Sequence, residues 1–530
     1  MKEKLIGWLK KDSRYILLTK AFLIAGLPIV GCLLYCAMQG RSISEVYLPG
    51  SEWNDELFYF KQVESIVKYG YPQGYFGFNE SHALKLSFAA WSPVLVFPWV
   101  IWGLLFGWNL MTPIVCNIVI LTVTFFCFVW LVKPTWKQLG IFTLLFFLYT
   151  PFVRYMLSGM PEVICFGMLM LFYSIVISYL RKETTAKLVW LFVLSALMML
   201  MRPYMLLFLA LPMVFWVKRS KWKGFIGSVV VLAVVGGIYG AIKHYLGAEY
   251  FAPLFFTDWI TAFFERGLFG GIRYFFGKLY WNGLDFISHV RRGIQAGLAS
   301  GAFFSGYLVM MGILLYQSLV DFRTWRKKKE DKENTNRLIV EAHLGISFVG
   351  MLFALLLMYK LTEGSKHLLT FMAAGILVIS IMKTRFFKKA VLMGAVFAYF
   401  YSYMAIDPYD YQVPFVEEGR MVQVESWGEI FDRELMLKTE NVPNYDNAII
   451  WTFSDTTPDG LENLKWQFLY ELPVGFGISC CMSDYVIENF DTLQNRYIAT
   501  VSDGEIDALC KEAGFRELGR DEDMVVYERY

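Results

Sequence analysis

Histidine is scarce in this sequence, five in 530 residues, and that scarcity argues against a histidine-rich metal centre. The eight cysteines form no C-x-x-C pair. Cys32, Cys36, Cys116, Cys127 and Cys165 sit inside apolar runs, where they read as packing residues. Adjacent Cys480 and Cys481 cannot readily bridge each other, so a disulfide framework is not indicated. The polar C-terminal tail lacks a glycine-rich phosphate loop, and the chain lacks an internal repeat. Charge is sparse as well, 18% of residues against 56% hydrophobic, at a mean hydropathy of +0.45. One soluble core could not bury that much apolar surface, so the chain belongs in lipid. The formal net charge of +3 comes from basic residues gathered in short segments between apolar runs. With no long basic stripe, nucleic acid is not an expected partner.

Apolar runs of about 20 residues, the length of a span, recur from Ile16 to Tyr403. The first of them, Ile16 to Ala37, is too long for a signal-peptide core and reads as a retained helix. Six short connections are rich in Lys and Arg: Met1 to Tyr15, Lys133 to Lys137, Arg181 to Lys187, Lys218 to Lys223, Asp321 to Arg337 and Lys383 to Lys389. Placing all six on the cytoplasmic side requires an even number of crossings between successive ones. Phe88 to Gly107 then cannot cross. Its prolines, Pro93 and Pro98, and its tryptophans suit a helix in the outer interface. Leu188 to Val217 is too long for one span and short for two, and a bend is expected at Arg202-Pro203.

The expected fold class is therefore an all-α polytopic membrane protein with about eleven transmembrane helices plus interfacial helices. The spans are 16–37, 110–132, 138–157, 160–180, 187–201, 203–217, 224–246, 296–320, 338–359, 366–382 and 388–405. The N-terminus is cytoplasmic, and the odd number of crossings places the C-terminus outside. Residues 1–405 form the membrane domain, with outer loops 38–109 and 247–295; the second loop, dense in aromatics, reads as interfacial helices. Residues 406–530 form a small extracytoplasmic α/β domain. In it, Ala448 to Phe453, Gly475 to Met482, Arg496 to Val501 and Met524 to Glu528 read as strands, and Gly460 to Leu472 and Asp503 to Ala513 as helices.

The first outer loop carries Ser51-Glu52-Trp53-Asn54-Asp55-Glu56, followed by an amphipathic helix with Leu57, Phe60, Val63, Ile66 and Val67 on one face. Two readings stand side by side. Asn54 is a natural N-cap and the acids suit the positive end of a helix dipole; equally, a carboxylate there can serve as a general base. Glu162, after Pro161, has the same ambiguity at the outer start of a span. Arg202 is recessed at the bend, and arginine can hold a phosphate bidentately. Lys360, Lys366 and His367 flank an outer turn, where they either snorkel to headgroups or bind an anionic lipid. Arg154 is placed to neutralise Glu162.

These features together resemble the GT-C superfamily of membrane glycosyltransferases, in the style of protein O-mannosyltransferases and aminoarabinose transferases. The resemblance is carried by a lone first helix, the acidic pair Asp55-Glu56, an aromatic helix ending in Tyr69-Gly70-Tyr71-Pro72, and a Pro-containing juxtamembrane helix closing on Phe106-Gly107-Trp108-Asn109. Pro161-Glu162 and Met201-Arg202-Pro203 complete it. Ser92-Pro93-Val94 stands where such enzymes commonly carry Lys-Pro-Pro or His-Pro-Pro. The resemblance implies an integral enzyme of the plasma membrane that passes a sugar from a polyprenyl-phosphate donor to a hydroxyl acceptor of the cell envelope, a glycan, lipid or protein, with inversion. It implies Asp55 as general base, Glu56 orienting it or the acceptor, Glu162 as a second acidic site, and Arg202, Lys366, His367 and Lys360 around the donor phosphate. No cofactor is required on this reading, although Asp55, Glu56 and Glu162 could ligate Mg²⁺ or Mn²⁺. The alternative is a transporter or lipid flippase with charges lining a path through the bilayer.

Overall fold

The computed structural model describes residues 14–51, 53–70, 76–80, 92–149, 151–246, 256–296, 299–327, 332–358, 365–381, 392–394, 413–417, 429, 445, 448–453, 466–472 and 477–529. Glu52, Lys360, the expected domain boundary at 405 and all but three residues of the last expected span lie outside them.

The first apolar run is α1 (Arg14–Met38), two helical segments that meet at Gly26, just ahead of Pro28. The acidic motif opens α2 (Asn54–Tyr69), which closes on Gly70 at φ 81°, a left-handed conformation that favours glycine. Asn54 is the first helical residue rather than the cap, a position held by Trp53, which makes no side-chain cap. The expected capping role of Asn54 is thus corrected: the helix starts one residue earlier. A short strand follows, β1 (Phe76–Phe78). The next helix, α3 (Phe97–Phe106), has ten residues. It is about 15 Å long, half of a hydrocarbon core, and buries Trp99 and Val100 while exposing Ile101, Leu104 and Leu105.

Next come α4 (Thr112–Val132), α5 (Trp136–Leu148) and α6 (Pro151–Met156). The expected span 138–157 is two pieces, the second beginning at Pro151. Then α7 (Glu162–Arg181) and α8 (Thr185–Met201) lead into Arg202, extended at φ −143°, ψ 115°. The bend expected at Arg202-Pro203 is present for the expected reason: proline drives the preceding residue out of the helical region.

The following helical stretch, α9 (Leu206–Leu246), is a hairpin. Lys221 leaves helical geometry at φ 43°, ψ −117°, and a Cβ on Gly227 would fall 2.1 Å from the Trp216 ring. In a straight helix those two residues stand about 16 Å apart along the axis. Leu209 packs in one cluster with Val235. Only a reversal at the basic turn 218–223 allows this, and it yields the two expected segments 203–217 and 224–246.

Two amphipathic helices, α10 (Asp258–Glu265) and α11 (Gly267–Ala296), replace a membrane crossing. Phe269, Phe276, Tyr280, Trp281 and Ile287 are exposed along α11, while Phe286 is buried. The bundle ends with α12 (Ala299–Lys327), α13 (Lys332–Met358) and α14 (Ser365–Ile381).

This is a multi-pass membrane protein. Among the described residues six helical segments are long and apolar enough to cross a membrane: Arg14–Met38, Thr112–Val132, Glu162–Arg181, Pro203–Tyr245, Phe304–Lys327 and Lys332–Met358. Pro93–Phe106, Trp136–Leu148, Thr185–Met201 and Lys366–Ile381 are shorter apolar helices. The expected spans are thus found as six long segments and three of the four shorter apolar helices, with 203–217 and 224–246 joined as one hairpin and all but three residues of 388–405 outside the described residues. Pro151 and Pro203 interrupt runs that hydropathy alone reads as continuous. Polar bonds tie the basic connections together at one end of the bundle: Lys20 donates to the Pro134 carbonyl (3.0 Å), and Asn336 to that of Leu180 (3.1 Å).

The tail folds as a small α/β unit built from β2 (Ala448–Phe453), a 3₁₀ helix Trp466–Glu471, β3 (Gly477–Met482), α15 (Ser483–Glu488), β4 (Tyr497–Val501), α16 (Glu505–Glu512), β5 (Arg516–Arg520) and β6 (Met524–Glu528). Strand order is β1-β3-β2-β4-β6-β5. The first three pairings are parallel, and β6 runs antiparallel to both neighbours. Sequence reading missed β5, whose Arg-Glu-Leu-Gly-Arg lacks apolar alternation, and β1, which comes from the first long loop. Glu80 locks that loop in place. Its carboxylate accepts from the backbone N–H groups of Gln494 (2.7 Å) and Asn495 (2.6 Å), and its own N–H donates to Ser479 Oγ (2.7 Å).

Candidate active site

Asp55 and Glu56 are neighbours in the first turn of α2, and successive helical side chains point about 100° apart. They therefore face different surroundings. Asp55 accepts a hydrogen bond from the Lys366 ammonium, in the first turn of α14. Its side chain is 37% exposed, whereas those of Glu56 and Glu162 are at 0%. Of the three predicted acids, only Asp55 is open to an incoming molecule.

Glu56 turns inward and pairs with Arg154 of α6 at 3.4 Å. Arg154 also donates to Ser51 Oγ at 3.2 Å and lies 3.8 Å from the centre of the Trp53 ring. The segment ahead of α7 packs on this pair: a Cβ on Gly159 would come within 3.1 Å of Glu56 Cβ. The expectation that Arg154 neutralises Glu162 is corrected, since Arg154 serves Glu56. The cation for Glu162 is Arg202, brought up by the break in the helix at Pro203.

Arg202 is fully buried. One terminal nitrogen meets Glu162 Oε1; the other donates to His367 Nδ1 (2.9 Å) and the Tyr204 hydroxyl (3.2 Å). Because arginine only donates, Nδ1 accepts, and His367 carries its proton on Nε2. Lys366 and His367 are consecutive on α14, so this helix start joins the Asp55 pair to the Arg202 cluster. Six residues singled out from the sequence, Asp55, Glu56, Glu162, Arg202, Lys366 and His367, thus gather at one end of the bundle. Ser51, Trp53 and Tyr204 were missed. Tyr204 follows Arg202-Pro203 directly, and that adjacency was the one available signal.

Each acid has its own cation, and the three do not converge on one point. Among the described residues no group of three or more His, Cys, Asp or Glu is placed to hold a metal ion.

Burial pushes the Glu56 carboxyl up to about 7, against the opposing pull of Arg154. The folded state then binds a proton that the unfolded state, with a carboxyl near 4.3, has already lost. Stability from this group is present at acid pH and declines as pH rises from about 4 to about 7. The thermal midpoint is expected to fall over that window more steeply for the natural chain than for Glu56→Gln. Parallel curves would show that Glu56 is not buried as described.

No family model matches the chain, and no curated protein matches it. Among solved structures, the chain is similar to the apo crystal structure of the Archaeoglobus fulgidus oligosaccharyltransferase at 12% identity and a TM-score of 0.47, with 93% of this chain and 70% of that one covered. It is also similar to ArnT from Cupriavidus metallidurans bound to undecaprenyl phosphate, at 11% identity and a TM-score of 0.42, covering 96% of this chain and 97% of that one.

Proposed function

We propose that the chain is an inverting glycosyltransferase that takes a sugar from a polyprenyl-phosphate donor and passes it to a hydroxyl acceptor of the cell envelope on the outer face of the membrane. The observation that carries this reading is the Asp55–Lys366 pair: a partly exposed carboxylate and an ammonium at the membrane-domain surface, backed by the buried pairs Glu56–Arg154 and Glu162–Arg202. The acceptor oxygen attacks the anomeric carbon as Asp55 takes its proton, and the bond from that carbon to the phosphate oxygen breaks. The polyprenyl phosphate leaves with the bonding pair, and Lys366 meets the charge that develops on it.

Arg202 has a second role here. Its terminal nitrogens are engaged with Glu162, His367 and Tyr204, so we assign it to holding His367 and the start of α14 in place. The phosphate falls to Lys366, which is 19% exposed. In the resting site Lys366 is bound to Asp55; an arriving phosphate competes for the ammonium and frees the carboxylate to act as base.

The test is binding of polyprenyl phosphate to the purified protein in nanodiscs. Lys366→Ala is expected to weaken it by about tenfold or more, as for loss of a charge-assisted contact of roughly 1.5–3 kcal/mol. Unchanged binding would remove Lys366 from the donor site. A transporter or flippase would instead use polar groups deep in the bundle, such as the Tyr173–His343 pair at 2.9 Å. Labelling of cysteines introduced around Arg202 separates the two, since an enzyme site is reached from the outer side alone.

A further inference from the structure

The sequence pattern of α2 is amphipathic, with Lys61, Gln62 and Ser65 on its polar side. In the structure that side is covered: all three are buried. The cover is the C-terminal domain. Its 3₁₀ helix Trp466–Glu471 packs on α2 and on the turn Leu48–Gly50 ahead of the acidic motif. Lys61, 1% exposed, gives its ammonium to the Leu472 carbonyl at 2.6 Å and to Glu64 at 2.9 Å. The Tyr470 ring lies 5.4 Å from that of Phe60. The hydroxyl of Tyr470 is buried and makes no hydrogen bond among the described residues. A second tie, β1 with Glu80, fixes the loop that leaves α2 to the same domain.

We infer that the C-terminal domain is a working part of the membrane-domain site: its segment Trp466–Leu472 clamps α2, and Tyr470, whose ring packs on Phe60, is the positioning residue for the first turns of α2. A buried lysine held by a carbonyl from a residue 411 positions away ties the register of α2 to the domain above it. The orientation of Asp55 and Glu56 depends on that register, because both are set by where the first turn of α2 lies. The groups facing Glu56 are Arg154 from α6, Ser51 from the preceding turn and the Gly159 segment.

The inference rests on the proposed activity only for its kinetic arm. With the full-length chain in nanodiscs, Tyr470→Ala is expected to speed amide exchange across Leu57 to Val63 by about tenfold. It is also expected to lower kcat by about tenfold with the donor KM within about twofold, as for a misplaced rather than missing group. Tyr470→Phe keeps the ring and is expected to recover both the protection and most of the rate. Lys61→Met, which removes the bond to Leu472, is expected to speed the same exchange and stands in should Tyr470→Ala fail to fold. Exchange and rate unchanged in both Tyr470→Ala and Lys61→Met overturn the inference, and a fall in rate carried by the donor KM with kcat unchanged overturns the positioning role of Tyr470. If the natural chain transfers no sugar but exchange still responds, the clamp stands and the proposed activity fails.

Discussion

Asp55→Asn is expected to reduce sugar transfer by roughly 10²–10⁴-fold, the usual contribution of a positioned general base, while the protein expresses and inserts as before. Asparagine keeps the shape of the side chain and its place in the first turn of α2, so the change removes little besides the charge and the proton-accepting oxygen. Asp55 is partly exposed and bound to a single cation, Lys366, and a pair of that kind adds little to stability. A merely dipole-stabilising acid would therefore be lost with small effect on anything, and a base would be lost with a large effect on rate alone. The measurement is transfer from a radiolabelled polyprenyl-phosphate sugar, with donor binding followed in parallel. Full activity in Asp55→Asn sinks the catalytic assignment.

Replacing Glu162 by leucine carries the largest expected effect on stability. Glu162 and Arg202 are both completely buried, and removing one leaves the other charge uncompensated, at a cost of about 3–5 kcal/mol. Arg202 would then lean on His367, whose neutral Nδ1 now accepts from it, and the link between α7, the bend at Pro203 and α14 would loosen. A sharp drop in thermal midpoint in detergent is the expected result, with partial recovery in the double replacement Glu162→Leu/Arg202→Met, because a buried pair exchanged for apolar residues of similar volume is often neutral or stabilising. A midpoint that does not move in the single replacement would show that Arg202 has water or another partner to turn to.

The candidate site was legible to an unusual degree, and for a specific reason. In a chain where charge is rare, each acid or base placed next to an apolar run is costly in lipid, so Asp55, Glu56, Glu162, Arg202, Lys366 and His367 could be picked out one at a time. Which acid met which cation was not legible. Arg154 is far nearer to Glu162 in sequence than Arg202, which is 40 residues away, yet Glu162 pairs with Arg202, because α6 packs its arginine on α2 and the bend at Pro203 brings the other one back. The helical content of the membrane domain and the break at Lys221 followed from hydropathy and charge, but Pro151 divided an expected span into two pieces.

The tail divides in the same way. β2, β3, β4 and β6 are apolar runs of five or six residues and announce themselves. β5 is polar and β1 is three residues long, so each exists because a neighbouring strand offers an edge to pair with. Likewise the polar face of α2 reads as solvated until the C-terminal domain is seen to cover it.

By itself the sequence determined that the protein lies in the membrane, where its helices break and which charged residues stand apart, because the cost of polarity in lipid is paid residue by residue. The partners of those charges, the exposure of Asp55 beside the burial of Glu56, and the closing of the C-terminal domain over α2 were decided by tertiary structure alone. They depend on contacts between segments up to several hundred residues apart, and no local pattern of residues records such contacts.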